Sequence, residues 1–207
     1  MSSQDHAGRS LLAALVAGSG LAPAEWWRGY LRAYLRPLVH CLLVHDLAFM
    51  PHGENVLLVL RDDTVTRVIV KDLGEEVAVF GDRPLPAGVA RVRVDADDRT
   101  RLLSLFTDVF DGVLRHVVAI LDGNCLVTAA QAWHVVADCV AEHRDAYPEP
   151  HGRLDLFAPT FRHSCLNRLQ LRDTRQMVDL ADPVSSLLFA GELDNPVAAW
   201  RPARSGV

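Results

Sequence analysis

The chain has 207 residues, half of them apolar and 23% charged, with a formal charge of −5. That balance suits a well-packed globular domain, and the acidic sign argues against a nucleic-acid footprint, which needs a basic face. No apolar run approaches the roughly 18 residues of a membrane span, and the polar, acidic first residues lack the basic start of a secretory signal, so a cytoplasmic protein bound to neither membrane nor nucleic acid is expected.

Residues 9–18 carry an apolar helical period that stops at Gly18-Ser19-Gly20. A second helix is predicted from about residue 25 to 45, started by Pro23 and Glu25. In it Trp26, Trp27, Tyr30, Leu31, Tyr34, Leu35 and Leu38 recur at three- and four-residue steps, a stripe read as core packing. Pro37 is expected to kink or divide this helix. After Asp46 comes a short apolar piece over residues 47–50. Two β-branched runs follow, 56–60 (VLLVL) and 65–70 (VTRVIV), separated by Arg61-Asp62-Asp63-Thr64. That pattern predicts a β-hairpin over about residues 54–70. Residues 77–80 read as a further strand, and residues 89–94 as a last short strand or an extended connection. From Asp97 the period turns helical: Asp97-Asp98 caps a helix over about residues 100–121, Gly123-Asn124 breaks it, and Thr128 caps another through about residue 144. The rest is less regular, and the chain is expected to fray from Trp200 on. The expected class is α+β: a small antiparallel sheet with a central hairpin, packed with a larger set of helices. An N-terminal extension (1–24), one main domain (25–198) and a tail (199–207) are expected.

The hairpin carries the chemistry. An antiparallel pair brings its two open ends together, here His52-Gly53-Glu54-Asn55 and Lys71-Asp72. Mg2+ takes oxygen ligands and is usually held by one or two protein oxygens plus phosphates; Asn55 and Asp72 are of the right type. Strand alternation points Glu54 away from Asn55, and Lys71 away from Asp72. Lys71 is the single lysine among 21 basic residues, a point charge suited to phosphate. His52 is placed to bond a base or a phosphate, and Gly53 lets backbone approach a ligand. The order H-G-x-N, strand, turn, strand, Asp also resembles the metal-binding segment of small-molecule kinases, without a base Asp at the kinase spacing. The local alternative is a surface hairpin with polar ends. Glu75-Glu76 reads as a solvated face, and adjacent His163 and Ser164 do not make a nucleophile–base couple. Arg168 and Arg172 could bind a carboxylate or pair with Asp173 or Asp179. Cys41, Cys125, Cys139 and Cys165 are dispersed, with no C-x-x-C, and read as reduced thiols.

The segments FMPHGENVLLVL, VIVKDLGEE, SCLNRLQLRD, QMVDLADP and LDNPVA occur in that order. Through them the chain resembles the C-terminal, palm-like domain of siderophore synthetases that work without a nonribosomal peptide template, the aerobactin-synthetase superfamily. It looks most like the desferrioxamine-type branch, over about residues 25–198. The resemblance implies an AMP-forming, ATP- and Mg2+-dependent ligase that joins a carboxylate to an amine of a hydroxamate or diamine building block. It implies ATP contacts from His52, Glu54, Asn55 and Lys71, with Asn55 and Asp72 on the metal. Lys71 and Arg168 are the catalytic candidates, Arg168 toward a substrate carboxylate or phosphate. Met50 falls where other branches carry a glutamate near the metal, and Glu54 where they carry glutamine. Family members are considerably longer, and their N-terminal part clamps the triphosphate, so a partner supplying that half is expected, as is a homodimer. Two other readings stand: a non-catalytic palm remnant serving as a binding or dimerisation module, and a ferric-siderophore reductase, whose iron–sulfur cluster needs four clustered thiolates.

Overall fold

A computed structural model describes residues 4, 8–74, 76–148, 154–164 and 189–202. Helix α1 spans Leu11–Ser19; the Ser10 hydroxyl caps it, and Gly20 ends it in a left-handed turn. Helix α2, Pro23–His45, runs unbroken through Pro37. Its flanks explain why the proline does not divide it: Leu35, Leu38 and Val39 are all buried, so packing outweighs the lost backbone bond. Trp26, Trp27, Tyr30 and Tyr34 stack along one face of α2, with ring centroids 5.1–5.9 Å apart. All four are buried, as the core reading of the stripe requires.

Strands β1 (Leu47–Phe49), β2 (Val56–Arg61), β3 (Thr64–Val70) and β4 (Val77–Val79) follow. The hairpin β2–β3 pairs Val56 with Val70 and Leu57 with Ile69, antiparallel. Its turn holds Asp62 and Asp63 at φ 49° and 56°, the positive angles that let a two-residue connection follow the strand twist. The indole Nε1 of Trp26 donates to the Asp63 carbonyl at 2.9 Å, tying the hairpin tip to α2. The hairpin is not the centre of a larger sheet. β4 pairs with β1, so the described strands form three two-stranded ladders. Residues 89–94 are no strand; Ala87–Val92 is a 3-10 turn, and Val94 joins β4 through one backbone bond to Val79.

The helix expected over 100–121 is four pieces. Asp97 caps α3 (Asp98–Arg101), α4 covers Leu103–Leu105, a π-helix runs Phe106–Leu114, and α5 covers Arg115–Gly123. Helix α6, Ala129–Ala146, opens with a reciprocal Thr128–Gln131 capping box and lies against α2. Trp27 Nε1 donates to the Ala132 carbonyl at 3.0 Å, and Arg28 reaches Asp138 and Glu142, each at 3.2 Å. β5 (Thr160–Ser164) pairs with β6 (Phe189–Asp194). Trp200 and Arg201 are docked rather than frayed: the Trp200 ring lies 5.7 Å from His134, and Arg201 bonds Asp155 at 2.7 Å. The fold is α+β, helices around small antiparallel ladders.

Asn195, from the LDNPVA segment, is 5% exposed. Its amide donates to the carbonyls of Leu156 at 2.9 Å and Ala158 at 2.7 Å, and accepts from Val197 N at 3.2 Å. Asn195→Ala removes these bonds from three backbone groups, two of the bonds buried and one part-buried, so urea unfolding should register a loss of about 2–4 kcal/mol. An unchanged midpoint would show that water replaces these bonds.

Candidate functional site

The site is built where β1 ends and β2 begins. Met50 N donates to the Glu76 carbonyl at 3.1 Å, which lays residue 50 beside the approach to β4. The Tyr34 hydroxyl donates to the Pro51 carbonyl at 2.9 Å and fixes the next residue to α2. Asn55 N bonds the His52 carbonyl at 3.0 Å, closing a tight turn at Gly53-Glu54. Lys71 N then donates to the Asn55 carbonyl at 2.9 Å, so the ladder runs one step past Val56–Val70. The two ends of the hairpin therefore meet, as the strand pattern requires.

Asn55 is 3% exposed. Its Nδ2 lies 3.4 Å from the Met50 carbonyl and 3.2 Å from His52 Nε2. That orientation requires His52 Nε2 to accept, and the amide Oδ1 accepts no hydrogen bond among the described residues. Glu54 is exposed. Lys71 and Asp72 do not diverge. Asp72 adopts φ 58°, a left-handed conformation that aspartate tolerates; this breaks the strand alternation and brings its carboxylate to 3.1 Å from Lys71 Nζ. Both side chains are largely exposed. Arg168 lies outside the described residues, as do Glu75, Cys165, Arg172, Asp173 and Asp179.

Two acids missed by the sequence reading complete the neighbourhood. Glu76 is only partly solvated: its side chain is 30% exposed, but its Oε2 is buried without a hydrogen-bond partner and lies 3.4 Å from His52 Nε2. Asp108, on the π-helix, is half-buried, and desolvation first, then the nearby Glu76 charge, pushes its carboxyl up to about 7. Beside this cluster lies a cleft of about 580 Å³ between α2, β2 and the π-helix–α5 segment, with Tyr30, Tyr34, Pro51 and Gly53 in its wall.

The donor set suits Mg2+. Asn55 Oδ1 and the Asp72 carboxylate are hard oxygens, and among the described residues no group of three His, Cys, Asp or Glu is placed to hold a metal ion. A cation here would take one or two protein oxygens and leave its other positions to phosphates and water. Cys41 is half-buried on α2, Cys139 buried on α6 and Cys125 exposed after α5. Among the described residues no helix is long and apolar enough to cross a membrane.

Comparison with known proteins gives a consistent result. The family model described as "Ferric iron reductase FhuF-like transporter" matches residues 24–179. The putrebactin synthase of Shewanella sp. (strain MR-4) is 43% identical over 97% of this chain, which covers 33% of that protein. Among solved structures, aerobactin synthetase IucC from a hypervirulent Klebsiella pneumoniae superposes with a TM-score of 0.76 at 23% identity, over 94% of this chain and 35% of that one. ATP-bound aerobactin synthetase IucA from the same pathotype gives 0.61 at 21% identity, over 91% of this chain and 34% of that one. The chain thus spans about a third of the length of these relatives. The chain belongs to the FhuF-like family and corresponds within it to the C-terminal domain of siderophore synthetases that act without a nonribosomal peptide template.

Proposed function

We propose that the chain is the ATP- and Mg2+-binding part of a siderophore synthetase of the desferrioxamine type. It would adenylate the carboxylate of a hydroxamate building block and pass the acyl group to an amine. The observation that carries this reading is the convergence of His52, Asn55 and Lys71-Asp72 at the hairpin's open end. It gains support from the similarity to proteins named as siderophore synthetases, one of them in an ATP-bound form. Asn55 Oδ1 and Asp72 would hold the metal. Mg2+ when bound offsets phosphate charge. His52, Glu54 and Lys71 would face the nucleotide, with Lys71 as the catalytic cation toward the phosphates and Arg168 toward a substrate carboxylate. An ionised carboxylate is a poor acyl donor, and AMP is a better leaving group than oxide. The protein would work in the cytoplasm as a homodimer, with an N-terminal synthetase half supplying the remaining phosphate contacts.

The test is ATP–pyrophosphate exchange dependent on a succinylated hydroxamate acid. The chain is assayed alone and mixed with the N-terminal two-thirds of the putrebactin synthase. Exchange in the mixture that requires this chain is the expected result. No exchange in the mixture, with the two parts bound to each other, would favour the non-catalytic module.

A further inference from the structure

Tyr34 sits in the buried stripe of α2, 1% exposed, with its ring 5.6 Å from that of Tyr30. For packing alone phenylalanine would serve. The hydroxyl needs a separate reason, because a buried phenol without a partner is costly. Its partner is the Pro51 carbonyl, at 2.9 Å and buried. Among the described residues this is the one hydrogen bond that ties residues 50–55 to a helix. Proline at 51 makes the bond directive. Its φ is fixed, it has no N–H to hold it elsewhere, and it keeps Met50 extended. The remaining freedom at residue 51 is ψ, which turns its carbonyl against the onward chain. A donor fixed on α2 therefore sets the direction in which residues 52–55 leave.

The Met50 carbonyl carries the effect to Asn55, since it belongs to the peptide group that contains the Pro51 nitrogen. Asn55 Nδ2 lies 3.4 Å from that carbonyl and 3.2 Å from His52 Nε2. An imidazole nitrogen can donate or accept according to its tautomer, but a carbonyl only accepts. The Met50 carbonyl is thus what selects Nδ2 for the inner position and leaves Oδ1 for the other side. We propose that Tyr34 is a positioning residue for the hairpin end: its hydroxyl, through the Pro51 carbonyl, holds the 50–55 turn so that Asn55 presents its amide oxygen. For its consequence this rests on the nucleotide reading, in which that oxygen takes the metal. Burial first, then the Tyr30 and Asp108 charges, holds the phenol well above its usual range, so the hydroxyl remains a donor throughout the neutral range.

The experiment compares the full chain as wild type and as Tyr34→Phe, which keeps the ring in its slot and removes the donor. Amide hydrogen exchange, read by NMR without ligand, tests the ordering itself. In the variant the Asn55 and Lys71 backbone amides, both bonded within this turn, should exchange about ten-fold faster. The indole N–H groups of Trp26 and Trp27 report the hairpin tip and the α2–α6 contact, and they should keep their wild-type rates. A hydroxyl that merely stabilised the fold would speed all of these groups alike. Calorimetric titration with MgATP tests the consequence: Tyr34→Phe should bind about ten-fold more weakly, the effect of roughly one hydrogen bond. Unchanged exchange at Asn55 and Lys71, an equal rise at the indoles, or undiminished MgATP affinity in the variant would overturn the proposal. A wild type that binds no MgATP would sink the nucleotide reading alone, since exchange still decides whether Tyr34 orders the turn.

Discussion

Asp72→Ala should lower MgATP affinity by roughly 100-fold, about 2.7 kcal/mol. The carboxylate is the one formal charge in the proposed metal set, and Mg2+ binds neutral amide oxygen far less tightly than a carboxylate. The position is favourable for a clean reading. Asp72 is 59% exposed and its carboxylate pairs with Lys71, and an exposed pair of this kind contributes little to stability. Loss of binding can then be read without loss of fold, and the urea midpoint should stay within the error of wild type. Asp72→Asn, which keeps an oxygen and drops the charge, should fall between the two. Isothermal titration with MgATP measures all three. Equal affinity in wild type and Asp72→Ala would move the metal elsewhere.

Trp27→Ala should destabilise the chain by about 3–5 kcal/mol. Its ring is fully buried, stacked 5.1 Å from Tyr30, and its indole bonds the Ala132 carbonyl between α2 and α6. The substitution empties a large volume at the helix–helix contact and orphans a backbone acceptor. Domains of ordinary stability hold only about 5–15 kcal/mol in reserve, so a large part of the margin should go. Denaturant unfolding checks this. A drop under 1 kcal/mol would mean that the aromatic stripe is a ligand surface and not core.

The contrast between these two sites explains what the sequence made legible. Buried stripes announce themselves by period, and the α2 aromatics and the hairpin's alternating residues needed nothing else. The cap residues Thr128 and Asp97 were equally direct, because a side chain that satisfies a helix end is local chemistry. The hairpin end was readable because β-pairing forces residue 55 against residue 71. What escaped was non-local or broke a period. Phe106, Val109, Phe110 and Leu114 fit a 3.6-residue helix by eye, yet the backbone opens into a π-helix, and a Cβ on Gly112 would lie 3.0 Å from the Thr107 carbonyl. β4 was readable as a strand, but its pairing with β1 rather than with the hairpin was not. Asp72 escaped alternation through its left-handed backbone angle. Glu76 looked like half of a solvated acidic pair, and Asp108 drew no reading from the sequence. Only the fold sets Glu76 beside His52 and Asp108 near Tyr34.

The central claim is that the hairpin's open end binds the nucleotide through a metal. Titration of the wild-type chain with ATP, with Mg2+ present and with Mg2+ chelated, tests it most directly. Saturable binding in the presence of Mg2+ that weakens at least ten-fold on chelation is the predicted result. Binding that is equally tight without Mg2+, or no binding in either condition, would contradict it.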